Sequence, residues 1–260
     1  MQELGIALAL QIDSQAPSLN TIDFSLIIAC YKDADHLESN IKELVAYMNQ
    51  CRFNFEIVMV EDCSPDGTAL AVRKTAIYLE ACQIPYQTIF HQQNHGRGRS
   101  VSDGIRVARG PIAGYIDIDL EHRMDALLSM INLVSQGADL VVGNRVVLNR
   151  VSRPLRALSS WVYKRLAHLV LPMSILDTEA GFKIFNRDRI LPLLDLTQDQ
   201  HWFWDTEIVH RALSSGLRCE NFPIIFQEKP EKKSTVSLIP DSIAYLKAIY
   251  RYKKSIRILA

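Results

Sequence analysis

Long apolar runs are missing from this 260-residue chain. None reaches the ~18–20 residues that a helix needs to cross a bilayer, so the sequence predicts no membrane span of its own. An excess of one charge is missing too. Lys+Arg and Asp+Glu number 29 each, which argues against a surface built throughout for nucleic acid. The five cysteines, at 30, 51, 63, 82 and 219, are an odd set without a Cys-X-X-Cys pair. A disulfide framework and a zinc site are therefore both poor readings, and a reducing compartment is expected. The start, Met1 to Leu10, lacks a basic n-region and carries Glu3, so it reads poorly as a signal peptide. No internal repeat and no low-complexity segment is found. Together these absences predict a cytoplasmic protein.

What remains is an ordinary globular composition, 48% hydrophobic and 22% charged, in a chain long enough to bury a core as one α/β domain, with or without an appendage. Residues 1–21 show no periodicity and contain Ser14, Pro17, Ser18 and Asn20, so they read as a loosely ordered extension. Strand-like and helix-like stretches then alternate. Strands are predicted over 24–29, 55–60, 86–90, 112–116 and 139–142, with a short one over 182–185. Helices are predicted over 37–48, 68–82, 96–109, 154–171 and 203–215. Continuous apolar strands in β-α-β alternation mean a mostly parallel, Rossmann-like sheet with helices on both faces. Such sheets bind ligands at the carboxyl ends of their strands. The polar clusters fall there: Tyr31-Lys32-Asp33, Glu61-Asp62, Asn94, Asp117 with Asp119, and Gly143-Asn144-Arg145.

Asp117-Ile118-Asp119 closes the fourth strand, with Glu121 two residues on. Carboxylates delivered from a buried strand suit a hard divalent cation such as Mg²⁺ or Mn²⁺, which is often shared with a substrate diphosphate. Glu61 and Asp62 could accept hydrogen bonds from a base N–H or a ribose hydroxyl. Asp66-Gly67-Thr68 reads better as turn and helix capping. Asn94-His95-Gly96-Arg97-Gly98-Arg99-Ser100 is a glycine turn before a helix that lets backbone approach a nucleotide, with Arg97 or Arg99 near phosphate. Its spacing is neither a Walker loop nor a dinucleotide fingerprint, and a structural turn fits it equally. Asp177-Thr178-Glu179-Ala180-Gly181-Phe182-Lys183 combines acids, a turn glycine and a base. Trp202-Phe203-Trp204-Asp205-Thr206-Glu207 sets aromatics beside acids, which suits either a sugar or lipid pocket or core packing. Arg145, Arg156, Lys183 and Lys229 are scattered cations that could converge on an anion.

In their order, these segments resemble the family 2 glycosyltransferases of the GT-A fold, in particular the dolichol- and polyprenyl-phosphate sugar transferases. The likeness runs over about residues 22–236, through 25–33, 61–68, Asn94-X-Gly96-X-Gly98, 117–122, 143–145, 177–183 and 202–207. It implies a GT-A catalytic domain over 22–236, a nucleotide-diphosphate-sugar donor, Mg²⁺ or Mn²⁺, and inversion at the anomeric carbon. By matching position it implies that Tyr31, Asp33, Glu61, Asp62, Asn94, Gly96 and Asp117 contact the donor. Asp117, Asp119 and Glu121 would hold metal and diphosphate. The catalytic set would be Asp119, Arg145, Arg156, Asp177 and Lys183. An acceptor would meet Lys183, Trp204, Asp205, Glu207, Lys229 and Ser234. A lipid phosphate is already an anion and needs no base, whereas a hydroxyl acceptor needs a carboxylate, for which Asp177, Glu179 and Asp205 are the options. The chain departs from the family at Ala29-Cys30-Tyr31-Lys32-Asp33, where Pro-X-Tyr-Asn-Glu is usual, and at Glu61, where Asp is usual.

From Asp241 onward Leu246, Ile249, Tyr252, Ile256 and Leu259 keep helical spacing, with Lys247, Arg251 and Lys254 on another face. A basic amphipathic helix over 237–260 fits two settings: peripheral contact with the inner face of an anionic membrane, or packing on the domain, a homo-oligomer or a membrane subunit. The expected function is sugar transfer to a polyprenyl phosphate. The competing functions are transfer to a hydroxyl acceptor, a non-catalytic nucleotide-sugar-binding subunit, and nucleotidyl transfer.

Overall fold

The computed structural model describes residues 11–14, 21–51, 53–120, 124–147, 170–171, 173–175, 177–226 and 238–259, with the backbone alone at 11–14, 147, 238–243 and 257–259. Among the described residues eight strands make one sheet: β1 Gln11–Ser14, β2 Phe24–Cys30, β3 Phe55–Glu61, β4 Tyr86–Phe90, β5 Ile112–Ile116, β6 Leu140–Val147, β7 Phe182–Asn186 and β8 Cys219–Phe226. Their order across the sheet is β1-β4-β3-β2-β5-β7-β6-β8. Strands β4, β3, β2 and β5 run parallel to one another, and β6 runs parallel to β8. Strand β7 is antiparallel to both β5 and β6. It therefore starts at the edge where β5 and β6 end, and the turn that feeds it, around residues 177–181, arrives beside their carboxyl ends.

The helices are α1 Leu37–Met48, α2 Thr68–Ala81, α3 Arg97–Val107, α4 Ala126–Ser135, α5 Arg187–Leu196, α6 Trp204–Ser214 and α7 Leu238–Leu259. The period-2 alternation of a strand sends successive side chains to opposite faces. Leu26, Ile28, Ile57 and Met59 accordingly pack with α1, α2 and α4 on one face. Ile27, Val58 and Val60 pack with α3, α5 and α6 on the other. All seven residues of β3 are buried. Burying an aliphatic side chain of this kind contributes about 1.5–3 kcal/mol, so the central strands hold both layers together.

Three elements differ from expectation. Residues 11–14, read as part of a loose extension, pair antiparallel with β4 from Gln11 opposite Phe90 to Ser14 opposite Gln87. They cover what would otherwise be an open sheet edge. Strand β8 and helix α5 were not anticipated. The expected helix over 154–171 falls almost wholly outside the described residues.

Candidate active site

The first two parallel strands end in turns that their own acids build. Beyond β2, Asp33 is buried. Its Oδ2 accepts from the Tyr31 backbone N–H at 2.8 Å, and its own N–H donates to Thr68 Oγ1 at 2.8 Å. Beyond β3, Glu61 Oε1 accepts from Ser64 N–H at 2.6 Å and Oε2 from Cys63 N–H at 3.2 Å. Both oxygens of Glu61, read as a donor contact, thus hold the turn. Lys32 and Cys63 sit at φ 60 and 53, in the left-handed region that non-glycine residues enter at a cost. Leu120, just past Asp119, does the same at φ 50. Strained backbone therefore marks the carboxyl ends of three strands.

Asp62 is buried and fully engaged. Its Oδ1 accepts from His95 N–H at 2.8 Å and lies 2.7 Å from His91 Nδ1, while Oδ2 accepts from Gly96 N–H at 2.7 Å. Burial would raise its pKa, but the bonds from His91, His95 and Gly96 outweigh burial and hold it low. The side chain of Asn94 donates to the Asp62 carbonyl at 3.2 Å. The turn before α3 is thereby fastened to β3. Gly96 has φ +97, and a Cβ there would lie 2.3 Å from His201 Nδ1. A Cβ on Gly98 would lie 2.3 Å from the Trp204 Cβ. Glycine at both positions lets α3 approach the loop before α6.

At the end of β5, Ile118 and Leu120 are buried while Asp117 and Asp119 are half-buried, so the two carboxylates share the outer side of the turn. The turn closes through Leu120 N–H to the Asp117 carbonyl at 3.2 Å. Arg97 Nε and Nη2 donate to Asp117 Oδ1 at 3.0 and 2.7 Å, and its Nη1 donates to Asp205 Oδ2. Burial and the nearby Asp119 carboxylate raise the Asp117 pKa against the pull of Arg97. Two like charges this close welcome a cation, and their hard oxygen donors fit a divalent one. Among the described residues no cluster of three His, Cys, Asp or Glu side chains is arranged to hold a metal. Glu121, the third expected ligand, lies outside the described residues, as do Arg156, Lys229 and Ser234.

Beneath Arg97 is a buried polar knot. Lys183 is completely buried, and its three N–H protons go to Asp205 Oδ1 at 2.5 Å, the Ala180 carbonyl at 2.6 Å and Tyr115 Oη at 2.9 Å. The Tyr115 hydroxyl also donates to Asp205. Burial would raise the Asp205 pKa, but Arg97 and Lys183 outweigh it and keep the carboxylate ionised. In this structure every donor of Lys183 is taken by protein groups, and Asp205, read with it as an acceptor contact, faces three internal partners. Trp204 is a core residue, with Nε1 donating to Ser102 Oγ at 2.9 Å. Glu207 is buried, accepts from the Gln198 and Asp199 N–H groups at 2.9 Å each, and pairs with Arg211 at 2.7 Å. It anchors the loop before α6.

On the far side of β5, Arg145 from β6 forms a two-pronged pair with Asp177, Nε to Oδ2 at 2.7 Å and Nη2 to Oδ1 at 2.9 Å. Next to it Thr178 Oγ1 lies 2.8 Å from Thr206 Oγ1, which lies 2.8 Å from Tyr245 Oη on α7. The structure thus brings Asp117, Asp119, Arg145 and Asp177 to one edge, with Lys183 and Asp205 supporting from below. Sequence reasoning overlooked Tyr115, His91 and Asp103. His91 carried a readable signal: it follows a strand at the same edge where the neighbouring strands present acids.

The sequence profile of glycosyl transferase family 2 matches residues 25–191. Glycosyltransferase AglD of Haloferax volcanii is 30% identical over 237 residues, which are 88% of this chain and 37% of that protein. The chain thus spans little more than a third of that relative. Dolichyl-phosphate beta-glucosyltransferase of Saccharomyces cerevisiae is 24% identical over 94% of this chain and 83% of its own length. Among solved structures, mannosyl-3-phosphoglycerate synthase from Rubrobacter xylanophilus superposes with a TM-score of 0.64 at 17% identity, covering 88% of this chain and 73% of that one. Glucosyl-3-phosphoglycerate synthase from Mycobacterium tuberculosis, solved with Mn²⁺, uridine diphosphate and phosphoglyceric acid, gives 0.62 at 10% identity, covering 90% and 78%. The fold is GT-A.

Proposed function

Because the chain belongs to glycosyl transferase family 2, we propose that it moves a sugar, with inversion, from a nucleotide-diphosphate-sugar to a polyprenyl phosphate. The names of the yeast relative and of a Dictyostelium discoideum relative, both dolichyl-phosphate beta-glucosyltransferases, support this acceptor. The observation that carries it is the state of the acids. A hydroxyl acceptor needs a carboxylate to take its proton, yet each option at this edge is engaged. Asp177 is held by Arg145 and Asp205 by Lys183, Arg97 and Tyr115. Glu179 interacts with the Tyr245 hydroxyl. A phosphate oxygen is already charged and attacks without that help.

In this reading Asp119 and Asp117, with Glu121, hold Mg²⁺ or Mn²⁺. Bound there, the ion would supply positive charge opposite the leaving diphosphate. The Arg97 guanidinium, fixed by Asp117 and Asp205, adds a second cationic group facing the same leaving group. Lys183 keeps Asp205 in place and so keeps Arg97 aimed. Arg145 faces the phosphate of donor or acceptor, oriented by Asp177. Tyr31, Asp33 and Asn94 line the nucleoside end. Contact with the inner face of a membrane through α7 belongs to the same proposal. No helix among the described residues is long and apolar enough to cross a bilayer.

The test is a donor screen. UDP-, GDP- and dTDP-sugars are offered with Mn²⁺ or Mg²⁺, with and without a short polyprenyl phosphate, and nucleoside diphosphate is measured. Release that depends on the lipid phosphate is expected. Release of pyrophosphate, or equal release without the lipid phosphate, overturns the proposal.

A further inference from the structure

His91 follows β4 directly, and its side chain is 1% exposed. Its Nδ1 is hydrogen-bonded to Asp62 Oδ1 at 2.7 Å, while its Nε2 lies 3.3 Å from Asp103 Oδ2, within ion-pair distance but without a hydrogen bond. Both acids are themselves buried. A neutral imidazole has one N–H and one lone pair. Between two carboxylates it would turn that lone pair on one of them, so the geometry calls for the doubly protonated ring. The charged and titratable groups around it are Asp62 at the end of β3, Asp103, Arg99 and Arg106 on α3, and His95 on the intervening turn. Arg99 Nε donates to Asp103 Oδ2 at 2.7 Å and Arg106 Nη1 to Asp103 Oδ1 at 3.4 Å. The His95 ring meets His91 edge-on at 5.1 Å.

We propose that His91 is a positioning residue: held as an imidazolium between Asp62 and Asp103, it fixes the 94–98 turn against β3 and so aims Arg97 at the donor. The proposal rests on the donor-binding reading of this edge. The connection is physical. Asp62 carries the His95 and Gly96 N–H groups on the same carboxylate that His91 grips. Gly96 leads at once into Arg97, whose guanidinium reaches Asp117 and Asp205. Without the imidazolium, Asp62 loses its one cationic side-chain partner among the described contacts, whereas Asp103 keeps Arg99 and Arg106, so the loss falls on the carboxylate that holds the turn. Burial opposes the charged ring, but the Asp103 and Asp62 carboxylates push its pKa up to about 9. The sign follows: the contribution is fully present below the unfolded value of about 6.5, and is lost as pH rises through about 9.

Nitrogen NMR on the full chain with labelled histidine reads the state directly. Both His91 nitrogens should resonate as protonated at pH 7.5 and titrate near 9. Titration at or below about 6.5, or a neutral tautomer at pH 7.5, overturns the proposal whether or not the donor screen succeeds. The second arm uses His91→Gln, which keeps a donor and an acceptor but no charge, with Asp103→Asn as an independent route to the same loss. Each should weaken binding of UDP–Mn²⁺ or GDP–Mn²⁺, whichever the wild type binds, by about tenfold, with one 1.4 kcal/mol step per decade. The effect should fall on donor KM more than on kcat. Amide protection at His95 and Gly96 should fall in both variants, and the double variant should be no worse than the weaker single one. Unchanged donor affinity together with retained protection at those amides overturns it.

Discussion

Asp205 shows how much of this site is decided by single side chains with distant partners. It is 2% exposed and is held by Arg97, 108 positions earlier, by Tyr115, 90 earlier, and by Lys183, 22 earlier. Removing one partner of a buried pair leaves the other charge uncompensated, at about 3–5 kcal/mol. Asp205→Asn is therefore expected to lower stability by about that amount in urea unfolding, through the loss of charge opposite both cations. A loss below about 1 kcal/mol would show that the knot is wet or rearranged. Asp119 predicts the opposite. It is half-buried on the outer side of its turn, so Asp119→Asn should cost less stability than Asp205→Asn while turnover falls by about 10²-fold or more, as when an essential electrostatic group is removed. Turnover within twofold of wild type would remove Asp119 from the metal site. The contrast explains what was legible at this scale. Acid residues at strand ends could be read from the sequence, because strand ends are set by local apolar runs. Which acids face the cleft could not, because that depends on partners such as Arg97 and Lys183 that only the tertiary fold delivers. Trp204 and Glu207 show the same limit: an aromatic beside an acid looks alike in a pocket and in a core until Ser102 and the Gln198 amide are seen beside them.

Among the elements, the strands that could be read are the buried ones, β2 through β5, whose apolar runs need no outside information. Strand β8, Cys-Glu-Asn-Phe-Pro-Ile-Ile-Phe, is half-buried and carries Pro223. A proline is tolerated because β8 lies at the end of the sheet order, where one N–H side is unpaired, but it weakens the sequence signal. Helix α5 was obscured by its internal Pro192. The pinch between α3 and α6 was equally hidden, although its cause, Gly98, was in view as part of a glycine turn. That pinch makes a prediction at the element scale. A Cβ at position 98 would come within 2.3 Å of the Trp204 Cβ, between two buried residues, so Gly98→Ala must push α3 from α6. Overpacking of this kind costs about 1–3 kcal/mol. Gly216→Ala is the control: its φ is +74 but nothing lies within 4 Å, so its cost is the left-handed backbone alone, about 1–2 kcal/mol. The two should differ in function more than in stability, since only Gly98 borders Arg97. Equal donor affinity in both variants would mean that the α3–α6 spacing does not reach the site.

For the whole molecule the open matter is how a chain without a described membrane span would meet a lipid acceptor. Helix α7 was read as either a membrane-surface helix or a packed one, and its two faces divide the roles. Tyr245, Ala248, Ile249 and Tyr252 pack on Leu171 and Phe203, so the apolar face is already covered. The exposed side presents Leu246 and Tyr250, the latter 72% exposed, with Lys247, Arg251 and Lys254. A bilayer would therefore meet mainly charge. Each Lys or Arg near an anionic surface contributes about 1 kcal/mol, and the attraction falls off within a Debye length. Vesicles containing phosphatidylserine should thus sediment the protein at low salt and release it as salt rises, while neutral vesicles should not bind it. The triple variant Lys247→Gln, Arg251→Gln, Lys254→Gln should lose that binding with an unchanged melting temperature, because none of the three lies in the packed face. Equal sedimentation of the triple variant would assign the contact to another surface. The same helix reaches the site through Tyr245, Thr206 and Thr178, the last beside Asp177.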